Sequence, residues 1–155
     1  MKRILPALMG TAVTVGLGTV LIPRYVIPAL SPRPEKLGVS GGKLAPCPDT
    51  VNCVSSQSTD AYTAMQPIPY MVDLETAKAR LISILRGMPD LRIIDLSRPN
   101  YIYAEAYSTG LKFIDDVEFY FDDEKKLIHF RSASRLRDGR MHANRLRMEQ
   151  IIRQF

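Results

Sequence analysis

Between residues 91 and 134 the apolar side chains recur at every second position in four successive stretches, separated by short polar links. That alternation turns one side of each stretch toward a core and the other toward polar surroundings, the signature of β-strands. The stretches are 91–96, 101–108, 113–121 and 127–134, with turns at 97–100, 109–110 and 122–126. Links this short join antiparallel neighbours, so the expected sheet is a four-stranded antiparallel meander. A period of 3.6 brackets it on both sides. Asp73 is placed to cap a helix over 74–86, in which Leu74, Ala77, Leu81, Ile84, Leu85 and Met88 share a face, and Gly87 and Pro89 mark its stop. A second helix begins near Ala143 and carries an apolar stripe of Leu146 or Met148, Ile151, Ile152 and Phe155. The expectation is an α+β fold of order α-β-β-β-β-α, with both helices packed on one face of the sheet. Residues 46–71, interrupted by Pro67 and Pro69, read as irregular structure wrapped on the core.

The chain opens with Lys2 and Arg3 and then runs from residue 4 to 22 without a charge. A basic start followed by an apolar run is the layout of an export or anchoring signal, and this run approaches the roughly 20 residues a spanning helix needs. Residues 1–30 are therefore expected to hold a hydrophobic signal-anchor helix that contacts the membrane through residues 4–22. The basic residues precede the run and only Arg24 soon follows it, which puts the domain on the extracytoplasmic side, in the periplasm or an equivalent compartment. Cleavage near Ala29 to a soluble export product is the alternative. Residues 31–43, rich in Pro, Gly and Ser, read as a flexible linker, and the single folded domain as 44–155.

The formal charge of +5 is concentrated at the N-terminus: Lys2, Arg3 and Arg24 face no acid there, leaving 18 basic against 16 acidic residues beyond residue 30. So small an excess does not call for a nucleic-acid partner. Cys47 and Cys53 lie in the exported part, and in an oxidising compartment two close cysteines pair, so an intraloop disulfide is expected. Five intervening residues do not make the C-x-x-C of a redox site, and His129 and His142 lack the spacing that would complete a zinc site. Neither metal nor cofactor is expected. Ser55 and Ser56 have no G-x-S-x-G setting for a serine hydrolase.

Along 113–121, period two sends Phe113, Asp115, Val117, Phe119 and Phe121 to one side and Ile114, Asp116, Glu118 and Tyr120 to the other. With Ile128 and Phe130 on the core side, His129 and Arg131 face Asp116 and Glu118, and a cross-strand Glu118–Arg131 pair follows. Charge is also segregated: residues 115–124 hold six acids, whereas 125–155 hold nine Lys or Arg against Asp138 and Glu149. Two carboxylates beside guanidinium groups suit acid-base chemistry on an anionic substrate, or anion binding, or simply a salt-bridged sheet face. Arg135, Arg137, Arg140, Arg145 and Arg147 are placed to gather phosphate or lipid headgroups.

Four blocks carry a family likeness: residues 45–48 with 52–57, residues 113–119, residues 131–135, and Asn144-Arg145. In this order they resemble domain-of-unknown-function family 1499 over about residues 44–155, whose members look like exported or membrane-tethered proteins without an established reaction. The resemblance implies that Asp115, Asp116, Glu118, Arg131, Ser132, Ser134, Arg135, Asn144 and Arg145 are motif positions, and so favours one shared polar site. The stretch 138–143 departs from the short Gly-containing turn of the family pattern.

Three functions follow as expectations. The first is a non-enzymatic, membrane-tethered binding or assembly module that holds an anionic small molecule, a lipid headgroup or an envelope protein. The second is a hydrolase with Asp116 or Glu118 as general base and arginines as anion clamp. In the third the motif is an internal lock, because buried Asp–Arg pairs can specify packing without any ligand.

Overall fold

The computed structural model describes residues 31–48, 52–109, 113–136 and 141–155. The expected hydrophobic helix lies in residues 1–30, outside the described residues, as do residues 49–51 of the cysteine loop and residues 138–140 of the divergent 138–143 stretch. Among the described residues no helix is long and apolar enough to cross a membrane.

The elements are β1 (Val39–Ser40), β2 (Lys43–Leu44), β3 (Cys53–Ser55), β4 (Ile68–Pro69), α1 (Leu74–Arg86), β5 (Leu91–Asp95), β6 (Tyr101–Tyr107), β7 (Ile114–Asp122), β8 (Leu127–Ser134) and α2 (Met141–Gln154). The four long strands form the expected antiparallel meander, but the sheet has six strands, not four. Its order is β3-β8-β7-β6-β5, and β4 also pairs with β8. One edge of β8 is thus shared: Cys53 to Ser55 pair with Ala133 to Arg131, while Ile68 and Pro69 pair with Ile128 and Leu127. Both added strands come from 46–71, the stretch expected to be irregular. They are too short to display a period, and Pro69 is tolerated because an edge strand need not donate from every position.

Helix α1 begins where the sequence predicts, with the Asp73 carboxylate accepting from Thr76 N at 2.8 Å. Its Ala77, Leu81 and Leu85 are fully buried. Helix α2 starts two residues earlier than expected, and its Met148 and Ile151 are buried while Leu146 points outward, 47% exposed. Both helices share a core with the odd-numbered side of β7 and the even-numbered side of β8: Val117, Phe119, Phe121, Ile128 and Phe130. Replacing one of these phenylalanines with alanine would cost about 3–5 kcal/mol.

The other side of the sheet is also covered. Residues 31–43, read from the sequence as a linker, run across it with Leu44 as a strap. Gly41 and Gly42, both at positive φ, make the two-residue turn that pairs β1 with β2. Leu44 is buried against Tyr101 and Tyr103, with Leu37, Val39, Ile94 and Tyr120 packed around them. Immediately after the strap, Cys47 is disulfide-bonded to Cys53 on β3, Cα to Cα 5.7 Å, as the spacing predicts. The bond ties the end of the strap to the sheet edge. Replacing both cysteines with serine is expected to cost about 2 kcal/mol, the loop-closure term for so short a ring, measured by urea unfolding at fixed pH.

Candidate functional site

Consecutive residues of a strand face opposite ways, so the motif of β7 and β8 divides between the two sides of the sheet. On the strap side, Glu118 and Arg131 are register partners on adjacent strands, and Arg131 Nη1 donates to Glu118 Oε2 at 3.2 Å. Glu118 Oε1 accepts from Tyr101 OH and from the backbone N–H of Gly38, both at 2.7 Å. Next to it, Tyr103 OH donates to Asp116 Oδ1 at 2.6 Å, and Arg135 Nε reaches both Asp116 oxygens at 3.1 Å. Arg135 Nη2 also binds Glu105, and its Nη1 donates to the Ser31 carbonyl at 3.1 Å. Glu105 further accepts from Tyr107 OH at 2.6 Å and from Arg33 Nη2 at 2.8 Å, and the Arg33 guanidinium lies over the Tyr103 ring.

On the helix side a second network joins α2 to the sheet. Arg147 Nη2 donates to Asp115 Oδ2 at 2.8 Å, and its Nη1 to Asn144 Oδ1 at 2.7 Å and Ser132 Oγ at 3.1 Å. Asn144 Nδ2 donates to the Asn52 carbonyl at 3.0 Å and to Ser134 Oγ at 3.1 Å. The side chain of Asn52 in turn donates to the Leu136 carbonyl at 2.6 Å. Asp115, Ser132 and Asn144 are fully buried. This cluster fixes the start of α2 against β7, β8 and the residue preceding β3.

The nine candidate residues therefore do not form one site. Asp116, Glu118, Arg131 and Arg135 meet under the strap, whereas Asp115, Ser132, Ser134 and Asn144 meet under α2. Arg145 joins neither, since its Nη2 donates to the Tyr62 carbonyl at 2.7 Å and holds the 58–64 loop. Of the arginines expected to gather headgroups, Arg135 and Arg147 are spent inside these networks, and Arg137 and Arg140 lie outside the described residues. Sequence reading missed Glu105 and the tyrosines of β6 as partners of the motif, although Tyr101, Tyr103, Glu105 and Tyr107 alternate and so must share a face. It also missed Arg33 and Asn52.

The electrostatics follow from this pairing. Burial pushes the Glu105 carboxyl up, but the hydrogen bonds from Tyr107, Arg33 and Arg135 outweigh it and hold the group down at about 2. Burial works against the Arg135 cation, yet its bonds to Asp116 and Glu105 leave it above its ordinary value. Burial, reinforced by the neighbouring carboxylates, raises the Tyr101 and Tyr103 hydroxyls, so both stay protonated donors. His129 stacks on Tyr120, and burial holds its imidazole below the ordinary value. Ser56 Oγ lies 3.3 Å from His129 Nδ1, but it already accepts from Phe130 N at 2.8 Å, so the hydroxyl is tied to the backbone. Among the described residues no three His, Cys, Asp or Glu side chains converge as metal ligands.

Beside the strap network is an open cleft of about 1030 Å³ between the strap and the 55–63 loop. Leu37, Leu44, Pro46 and Tyr62 line it, and Lys36 and Lys43 stand on its strap wall against Asp60 on the loop.

Two predictions follow from the networks. Arg147→Ala leaves the Asp115 carboxylate buried without its guanidinium and is expected to cost about 3–5 kcal/mol in urea unfolding. The Glu105 carboxyl lies below its ordinary 4.5 in the folded state, so its stabilisation is fully present above pH 4.5 and is lost as pH falls through 4.5 toward 2. Glu105→Gln should flatten that acid limb of the stability curve and lower stability at pH 7 by on the order of 2 kcal/mol.

Comparison with known proteins finds no match among curated proteins and none among solved structures. One family model matches residues 43–155, which takes in the whole six-stranded sheet and both helices and begins after Ser31, Arg33 and Gly38 of the strap. The chain belongs to the family described as "Protein of unknown function (DUF1499)".

Proposed function

We propose that this is an extracytoplasmic, membrane-tethered, non-enzymatic binding module whose ligand site is the cleft between the strap and the 55–63 loop. The motif carboxylates and arginines are its internal framework. The observation that carries this reading is the state of those carboxylates. Asp116 and Glu118 are 1% and 0% exposed, and each accepts from both a tyrosine and an arginine. A general base needs a lone pair directed at an accessible proton, which speaks against the hydrolase alternative. A pocket with apolar walls and a few polar groups is the usual form of a small-ligand site.

The cleft combines an apolar lining with two lysines, which suits a polar or anionic envelope component carrying an apolar portion. The basic-then-apolar start of the chain supports a location at the membrane, where such components are found. Only residues 23–30 separate the apolar run from the strap in sequence, so a segment anchored through residues 4–22 would hold the cleft close to the surface. Bound there, the ligand would rest against Leu37 and Leu44 with its anionic group toward Lys36 and Lys43.

The test is thermal unfolding of the full chain in neutral detergent with a panel of anionic lipids, their isolated headgroups and acidic saccharides. At least one compound is expected to raise the Tm of wild type by several degrees and to leave Lys36→Glu/Lys43→Glu unmoved. Stabilisation that survives the lysine reversals, or a panel without any effect, would contradict the cleft as the site.

A further inference from the structure

The contacts between strap and sheet have the form of contacts between a bound peptide and its receptor. The β1–β2 hairpin is a separate two-stranded sheet and does not extend the six-stranded one. Polar links connect the first part of the strap to the polar face, among them the Gly38 N–H to Glu118, the Ser31 carbonyl to Arg135, and the Arg33 side chain to Glu105. The first two use backbone groups, the Gly38 N–H being presented at positive φ. The third asks for an arginine, seated over Tyr103 and against a carboxylate.

We propose that the polar face of the sheet is an acceptor for arginine-bearing extended segments, occupied in cis by residues 31–40 and open to such a segment of a partner protein when the strap lifts. Within the hydrogen-bonded network the face carries three carboxylates, Glu105, Asp116 and Glu118, against Arg131 and Arg135. Arg33 of the strap supplies the balancing charge. Lifting the strap removes that cation together with one of the two donors to Glu118 Oε1, leaving only Tyr101 OH there, so the vacated face selects a ligand that restores both.

The present occupant does not saturate the site. Arg131 is a side chain only 8% exposed, and its Nε has no hydrogen-bond partner among the described residues. A buried donor without an acceptor costs about 1–3 kcal/mol, and a segment presenting a carbonyl there would recover it. The strap is also held asymmetrically. Its far end is fixed covalently by the Cys47–Cys53 disulfide beside the buried Leu44, whereas toward Ser31 its contacts are noncovalent, the polar links and the packing of Leu37 and Val39 against Tyr101 and Tyr103.

A tethered ligand acts at an effective concentration in the millimolar range, so a free segment competes poorly with an intact strap. This site does not depend on the cleft ligand. The strap forms one wall of the cleft, so occupation of the face in trans would dismantle the cleft.

The probe is a fluorescent peptide of residues 31–42, with a second peptide carrying alanine at the arginine position, titrated against the full chain in detergent. The strap is weakened by Arg33→Ala/Gly38→Pro, which removes the cation and the donated N–H and forbids the positive φ of residue 38. The native peptide is expected to bind this variant at least about tenfold more tightly than wild type, and the alanine peptide to bind it at least about tenfold more weakly than the native one. Arg33→Ala alone should show the same order with a smaller difference, which keeps the test decisive where the double variant does not unfold cooperatively. No binding to a cooperatively folding variant, or equal binding of the two peptides, overturns the proposal. Exchange of straps between two copies, seen as a dimer of wild type, would also overturn it by naming a different occupant.

Discussion

The side chains of Asp115 and Asp116 leave β7 in opposite directions because a pleated strand alternates its faces, and the rest of the molecule is arranged around that separation. Each carboxylate sits in its own dry layer and needs its own cation. Asp115 takes Arg147 from α2, and Asp116 takes Arg135 from the end of β8. The same alternation sends Val117 and Phe119 into the core and Glu118 to the strap. A sheet that is polar on both sides at one end must be covered on both sides, which gives α2 and the strap their positions. A buried charge pair is weak as a source of stability but strongly penalises any arrangement that separates its members.

Much of this was legible in the residues. The four long strands, the Asp73 cap, the limits of α1, the disulfide and the Glu118–Arg131 pair follow from period, turn chemistry and spacing. The two short strands were not legible, because Cys53–Ser55 and Ile68–Pro69 are set by the open edge of β8 and not by any pattern of their own. The strap was misread for a different reason. Its Pro, Gly and Ser content suggests a linker, yet Val39 and Leu44 flank a Gly-Gly pair, which is also a hairpin signal. The family likeness made Asp115 to Arg145 look like one shared site, although period two already divides it.

The division changes what such a motif implies. Arginines and carboxylates gathered in a family's characteristic blocks invite a catalytic reading, but here each has a partner and a mechanical task. Arg135 holds Ser31, Glu118 holds Gly38, Arg147 and Asn144 hold the first turns of α2, and Arg145 holds the 58–64 loop. The proposed ligand site lies instead on the parts they position, the cleft wall and the 55–63 loop. The function proposed for the domain is accordingly one of holding rather than reacting.

The central claim is that the two networks are separate locks, and hydrogen exchange of the full chain followed by mass spectrometry tests it most directly. Arg135→Ala should speed exchange in residues 31–44 while leaving α2 protected, and Arg147→Ala should speed exchange in α2 while leaving the strap protected. If either substitution loosened both regions to the same extent, or neither region at all, the networks would not be independent locks and the account would fail.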